Sequence, residues 1–170
     1  MRELKFCPHC GAETLTFQEN KKWHCPKCDF TLYHNVAGAV AVLICCGDEI
    51  LFTQRNQEPK LGKLDLPGGF TDPEESAEQS CARELHEELN INIHPEKLRY
   101  LTSLPNTYLY KDILYNTLDL FFEYQIDTKM EMQLELSEIS KVVWVKRSEL
   151  QIDQLAFDSQ KTFFSKISNF

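Results

Sequence analysis

The sequence predicts an α/β domain preceded by a small metal-stapled module, on three observations. Segments of strand character, apolar or alternating, occupy Val36–Cys46, Glu49–Arg55, Leu64–Pro67, Lys97–Leu104, Leu114–Tyr124 and Lys141–Val145. A glutamate-rich stretch after Gly69 and a closing stretch at Phe157–Ile167 have helical spacing instead. Four cysteines fall into two C-x-x-C pairs near the start of the chain.

Composition bounds the class. A chain of 170 residues, 42% hydrophobic and 26% charged, suits one principal domain with room for an appendage. The longest nearly apolar run, Val36–Cys46, is far short of the roughly 20 residues that cross a bilayer, and no secretory leader pattern opens the sequence. No membrane role and a cytoplasmic location are expected. Residues 1–34 carry five basic and four acidic groups, so the net charge of −8 leaves −9 on the remainder. An acidic body is a poor partner for long nucleic acid, whose affinity comes from neutralising phosphates with Lys and Arg.

Residues 1–34 read as a unit. Cys7-x₂-Cys10 and Cys25-x₂-Cys28 have the spacing by which two turns present four thiolates to one tetrahedral ion. Pro8 stiffens the first turn and Gly11 supplies positive φ, with Asp29 in the corresponding place of the second. His9 and His24 stand beside the ligands as substitutes. The pattern resembles a zinc ribbon, which implies a structural Zn²⁺, though iron also accepts four thiolates. Cys45, Cys46 and Cys81 lie in apolar segments and read as small buried hydrophobes.

The second domain, residues 35–170, should open with a hairpin turning at Gly47-Asp48. Asn56–Lys63 reads as a loop, with Arg55 at its edge either gripping phosphate or simply exposed at a strand end. Leu64–Pro67 then delivers Gly68-Gly69. The glutamate helix has two candidate starts, Asp72-Pro73 and a capping box of Ser76 with Gln79. From either start Ala82, Leu85 and Leu89 form an apolar stripe, while Glu84, Glu87 and Glu88 converge on another face. Clustered hard oxygens repel one another and suit Mg²⁺ or Mn²⁺ held against a phosphate compound. A helical region begins at Ser148–Leu150.

Gly69, Glu75, Arg83, Glu84, Leu85, Glu87, Glu88 and Ile91 together resemble the box of the Nudix hydrolase superfamily. Asn90 replaces the usual Gly before the last apolar residue, and Asn is the non-glycine residue best suited to a left-handed cap. The resemblance implies an α/β/α sandwich with a mixed sheet and Mg²⁺-dependent hydrolysis of a nucleoside diphosphate linked to another moiety. It places Glu84, Glu87 and Glu88, with Gly69 and Glu75, at the Mg²⁺ site, and has Arg83 hold a box glutamate. For the general base it offers Glu87 or Glu88, or a distant loop glutamate among Glu131, Glu135 and Glu138, of which Glu138 is the second choice. A homodimer is also a family habit.

A ribbon before the Nudix domain resembles the arrangement of NADH pyrophosphatase-type members. Their downstream signature corresponds here only at Ser103 and Pro105, within Thr102–Tyr108. Pro105 resembles a cue of ADP-ribose hydrolases and Tyr108 one of dinucleoside polyphosphate hydrolases. Pro105 also reads as a strand terminator, and Tyr108, Tyr110 and Tyr115 as loop or core aromatics. The expected activity is therefore a pyrophosphohydrolase acting on a small ADP-containing nucleotide such as ADP-ribose or NAD(H). Hydrolysis of dinucleoside polyphosphates or of capped RNA, and a non-catalytic nucleotide sensor, are the alternatives; the intact box speaks against isopentenyl diphosphate isomerase.

Overall fold

A computed structural model describes residues 4–111 and 113–166. They divide into two compact units, one drawn from Met1–Val36 and Leu109–Tyr115, the other from Ala37–Tyr108 and Asn116–Phe170. In the first unit, β1 (Thr16–Gln18), β2 (Lys22–His24) and β3 (Thr31–Tyr33) form an antiparallel sheet. Its core is Leu15 and Trp23 packed with the four paired cysteines and Phe30.

The cysteine turns are built alike. The Gly11 N–H donates to Cys7 O and the Cys7 N–H to Ala12 O, both at 2.9 Å. The Asp29 N–H donates to Cys25 O and the Cys25 N–H to Phe30 O, again both at 2.9 Å. Gly11 (φ 69°) and Asp29 (φ 61°) take the same left-handed place, where a short polar side chain substitutes for glycine.

The larger unit is a mixed sheet between two helices. Its strands are β4 (Ala37–Cys46), β5 (Glu49–Arg55), β6 (Leu64–Asp65), β7 (Arg99–Tyr110), β8 (Ile113–Gln125) and β9 (Ile139–Lys146), the tips of β7 and β8 from Leu109 to Tyr115 falling in the first unit, and its helices are α1 (Ala77–Leu89) and α2 (Asp158–Lys166). The order is β6-β5-β4-β8-β7, with β9 also pairing β5. β4 and β8 run parallel, Val40 opposite Leu120, whereas β5 is antiparallel to β4, β6 and β9.

Alternation along β4 separates two cores. Val40, Val42 and Ile44 join Phe122, Tyr124 and the Cys81, Leu85 and Leu89 stripe of α1. Ala41, Leu43 and Cys45 join Phe52, Phe121 and Phe163 of α2. Residues one apart in a strand face opposite ways, so a continuous apolar run is what a strand covered on both faces requires. The result is the expected α/β/α sandwich.

Several boundaries differ from expectation. The strand expected to stop at Leu104 continues through Pro105 to Tyr110. β7 is an edge strand, one side of whose backbone carries no ladder, so a proline is accommodated and Pro105 does not terminate it. The region after Ser148 forms only short 3₁₀ turns, Arg147–Glu149 and Ile152–Gln154. The closing helix begins at Asp158, and Ile167, its expected end, lies outside the described residues.

Candidate functional site

The strand β6 ends at Asp65, and the chain from Pro67 to Thr71 then lies along β4. Main-chain bonds run from Val42 N to Pro67 O, from Val40 N to Gly69 O and from Thr71 N to Gly38 O, at 2.8–3.0 Å. Gly68 has φ 143°, and a Cβ there would meet Val40 O at 2.1 Å, so only glycine fits. This loop carries Gly69 to the glutamate helix.

The helix starts at Ser76. Its hydroxyl accepts from Gln79 N while the Gln79 side chain accepts from Ser76 N, a reciprocal capping box. The earlier start at Asp72 is ruled out by Glu74, whose φ of 69° is incompatible with a right-handed helix. At the far end Asn90 adopts the left-handed cap (φ 52°, ψ 37°), and its N–H returns to His86 O. The Gln133 and Glu135 N–H groups take up the Leu89 and Glu88 carbonyls at 3.1 and 3.0 Å, satisfying helix-end acceptors.

Arg83 organises the acidic face. Its Nε donates to Glu75 Oε1 at 2.9 Å, its Nη1 to Glu84 Oε1 at 2.8 Å and to Glu87 Oε2 at 3.0 Å, and its Nη2 to Phe70 O at 2.9 Å. Ser80 Oγ adds a bond to Glu75 Oε2 at 2.8 Å. Bonds from Arg83, foremost, and from Ser80 hold the Glu75 carboxyl below the usual range.

Glu84 and Glu88 go the other way. Burial, opposed by Arg83, raises Glu84, and repulsion from Glu87 and Glu138 adds to it. Glu88 accepts from the Gly68 N–H at 3.0 Å, yet burial first and then repulsion from Asp65, Glu84 and Glu138 push it well above the usual range. The charge of the exposed Glu138, outside the box, thus reaches both buried carboxylates.

Sequence reasoning missed Asp65. Burial raises its pKa, against the opposing charge of Arg55. Arg55 Nη1 donates to Asp65 Oδ2 at 2.8 Å and Gln160 Nε2 donates to Oδ1. Arg55 is thus no exposed strand-end arginine: its side chain is 13% exposed, its Nε donates to Pro59 O at 2.7 Å, and its Nη2 is buried without a partner. Its guanidinium lies 5.1 Å over Phe157. Tyr108 stands between Phe157 at 5.7 Å and Phe70 at 5.5 Å, forming an aromatic row beside the Gly69 loop. Pro105 is exposed on β7 and joins none of these contacts. Glu131 and Glu135 are exposed as well, and Ser137 holds the Glu135 carboxylate below the usual range.

Phe70 adjoins the glycine pair and was visible in sequence. Asp65 and Gln160 could have been suspected as polar residues on apolar faces, but nothing in the sequence says that they meet.

In the smaller unit the Sγ atoms of Cys7, Cys10, Cys25 and Cys28 all lie within 4.8 Å of one another, and among the described residues no other such group of three or more exists. Cys7–Cys28 is 3.6 Å and Cys10–Cys25 is 3.8 Å, matching the roughly 3.8 Å edge of a tetrahedron with Zn–S of about 2.3 Å. The Thr14 hydroxyl at 3.2 Å is the main cause that lowers Cys25 to about 6. His24 sits 3.8 Å from Asp29 and His9 stacks on Phe30, so neither belongs to the sulfur group.

Fold and site together define the class: an α/β/α sandwich whose glutamate helix follows a paired-glycine loop and is bound together by one arginine. The NUDIX domain family model matches residues 35–165, and the chain belongs to that family. It is 31% identical over 102 residues to the NAD-capped RNA hydrolase NudC of Pseudomonas fluorescens (strain Pf0-1), covering 60% of this chain and 36% of that protein. To NudC of Pseudomonas entomophila (strain L48) it is 34% identical over 92 residues, 54% of this chain and 33% of that one. The chain thus matches about a third of the length of these curated relatives. A NUDIX hydrolase from Nitrosomonas europaea shares the fold at a TM-score of 0.68 and 23% identity, over 96% of this chain and 92% of that one.

Proposed function

We propose that this protein is a Mg²⁺-dependent pyrophosphohydrolase cleaving the diphosphate of an ADP-containing compound such as ADP-ribose or NAD(H). The observation that carries the reading is Arg83 bonded at once to Glu75, Glu84 and Glu87, three carboxylates gathered at one cation, with Glu88 one helical turn beyond Glu84 and held by the Gly68 N–H. Such a set of hard oxygens fits Mg²⁺ or Mn²⁺, held by Glu84, Glu87 and Glu88 with Glu75 and Gly69 in support. When bound, the ion would polarise the pyrophosphate and acidify the attacking water.

The chain's own residues do the rest. Arg83 aims the glutamates, a positioning task worth about 10- to 100-fold when it is lost. In the reaction water oxygen bonds to phosphorus, the anhydride P–O bond breaks, and the water proton passes to a carboxylate. Glu87, Glu88 and Glu138 are the candidates. Phe70, Tyr108 and Phe157 offer aromatic faces for a base, and the Arg55 guanidinium over Phe157 places a cation beside them for phosphate. The four cysteines would hold a structural Zn²⁺ in an N-terminal ribbon, residues 1–34, ahead of a catalytic domain over 35–170.

Capped RNA is the second reading, favoured by the names of the NudC relatives. NAD-capped RNA carries the same pyrophosphate, and the acidic body requires only its 5′ end. Cys45, Cys46 and Cys81, outside the sulfur group, are in no disulfide, which agrees with a reducing, cytoplasmic setting. No described helix is long and apolar enough to cross a membrane.

The test is hydrolysis of ADP-ribose, NADH, NAD⁺, dinucleoside polyphosphates, nucleoside triphosphates and an NAD-capped oligoribonucleotide, with Mg²⁺ or Mn²⁺. Metal-dependent turnover abolished by Glu87→Gln or Glu88→Gln supports the enzyme and names its substrate. A folded wild type inactive on every compound refutes it and favours a nucleotide sensor.

A further inference from the structure

We propose that Asn56 is a positioning residue for the reaction: by bracketing the turn 136–138 on both sides, it holds the Glu138 carboxylate against the box glutamates. The inference rests on the hydrolase reading above and deepens it.

Asn56 is the first residue after β5. The β5–β9 ladder ends at Arg55 opposite Ile139, with a bulge at Gln54/Arg55, and Asn56 extends it by one contact. Its main-chain N–H donates to Glu138 O at 2.7 Å. Its side-chain Nδ2 donates to Leu136 O, also at 2.7 Å. One residue thus grips the carbonyls on either side of Ser137.

Among the described residues, no other hydrogen bond outside the β5–β9 ladder anchors residues 136–138 on that side. Leu136 is 64% exposed, so its side chain does not pack the turn in place, whereas Ile139 is buried and fixes only the strand that follows. On the opposite side the Glu135 N–H donates to Glu88 O at 3.0 Å, tying the segment to the last turn of α1. Within the turn the Glu138 and Ile139 N–H groups both return to Glu135 O, at 3.0 and 2.9 Å. The segment is therefore a closed loop of main-chain bonds held between the glutamate helix and Asn56.

Glu138 is the group this bracket serves. Its repulsion reaches both Glu84 and Glu88. Among the described residues its carboxylate has no hydrogen bond or ion pair, while Glu75, Glu84 and Glu87 are bonded to Arg83 and Glu88 to Gly68. A carboxylate at the site with its lone pairs uncommitted can accept the proton of the attacking water, provided that its backbone is fixed. Proton transfer tolerates little misplacement: an error of 1 Å can cost about 10²-fold.

The test is a double-mutant cycle on the full chain with NADH or ADP-ribose and Mg²⁺, read beside amide hydrogen exchange. Asn56→Ala should lower kcat about tenfold with KM changed less than about twofold. Exchange at Glu138 and Ile139 should quicken while that of α1 stays as in wild type. In a Glu138→Gln background, Asn56→Ala should cost no more than about twofold further, because the group it positions is already gone.

Equal losses in both backgrounds would mean that Asn56 acts apart from Glu138, which overturns the proposal. So would undiminished kcat in Asn56→Ala. Full activity in Glu138→Gln, with Glu87→Gln and Glu88→Gln inactive, overturns the positioning role and leaves the hydrolase reading intact. A wild type that cleaves neither compound, nor any other pyrophosphate substrate, removes both.

Discussion

The Gly69 α-carbon lies against the Glu84 carboxylate: a Cβ at position 69 would stand 2.6 Å from Glu84 Cδ and Oε1 and 2.7 Å from Oε2. The neighbour is the end of a side chain, so it can yield, but only by leaving the Arg83 bond that orients it. Gly69→Ala is expected to fold with little loss of melting temperature and to lose about 10- to 100-fold in turnover and metal affinity, as removal of a supporting contact does. Gly68→Ala meets main chain instead, Val40 O at 2.1 Å and φ 143°, and should lose about 3 kcal/mol or more of stability. Thermal melts and steady-state kinetics on the two variants separate the effects.

Arg83→Lys preserves charge and loses the fork. An ammonium cannot reach Glu75, Glu84, Glu87 and the Phe70 carbonyl together, as the guanidinium does. Turnover should fall about 10- to 100-fold with a raised Mg²⁺ requirement. Restoration of wild-type kcat by high Mg²⁺ alone would show that Arg83 serves affinity rather than alignment.

The raised carboxyls set the sign of a pH effect. Glu84, Glu88 and the adjacent Asp65 have folded pKa values above their unfolded ones, burial being the first cause in each. The folded state then holds more protons, so stability from these groups is full below about pH 4 and is lost as pH rises through the folded values. Glu75 and Glu135 are lowered and act oppositely, below about pH 4. In Mg²⁺-free buffer, the wild type should lose melting temperature relative to Glu88→Gln between pH 5 and pH 8. Mg²⁺ should stabilise the wild type more at pH 8 than at pH 5. A difference between the two proteins that does not change with pH would contradict the assignment.

Asn90 was the one departure in the box, and its geometry makes the substitution harmless. The residue sits at φ 52° and its Nδ2 donates to Gln133 Oε1 at 3.0 Å. Asn90→Gly trades that bond for an unstrained cap, so stability should move by less than about 1 kcal/mol and turnover hardly at all. Asn90→Ala has neither benefit and should lose about 1–2 kcal/mol.

What could be read in advance followed from local spacing. The apolar run of β4 announced a strand buried on both faces, and the glutamate spacing announced one acidic helical face. The start of α1 stayed ambiguous because Asp72-Pro73 is a sound signal that only the φ of Glu74 overrules. Pro105 misled because a sequence does not declare which strand is an edge. Asp65 with Gln160, 95 residues apart, and Asn56 with Leu136, 80 apart, were illegible for a different reason. Each pair is made by sheet order: β9 folds back beside β5, and α2 packs beneath β6 and β5. No periodicity carries that information.

The ribbon is the part of the chain whose folding should depend on metal. Its core contains Leu15 and Trp23 and otherwise the cysteines themselves with Phe30, too little apolar surface to hold three short strands. Trp23, 7% exposed, reports on that core, and the second tryptophan, Trp144, can be silenced as Trp144→Phe. In that background purified protein should carry about one Zn²⁺ per chain. Stripping the ion with a strong chelator should shift Trp23 emission to the red, and Zn²⁺ should reverse the shift while Mg²⁺ does not. Cys25→Ser should show the red-shifted state from the outset, since an alcohol neither ionises nor binds zinc as a thiolate does. Emission unmoved by complete zinc removal would mean that cysteine packing alone folds the unit and that the four sulfurs serve another purpose.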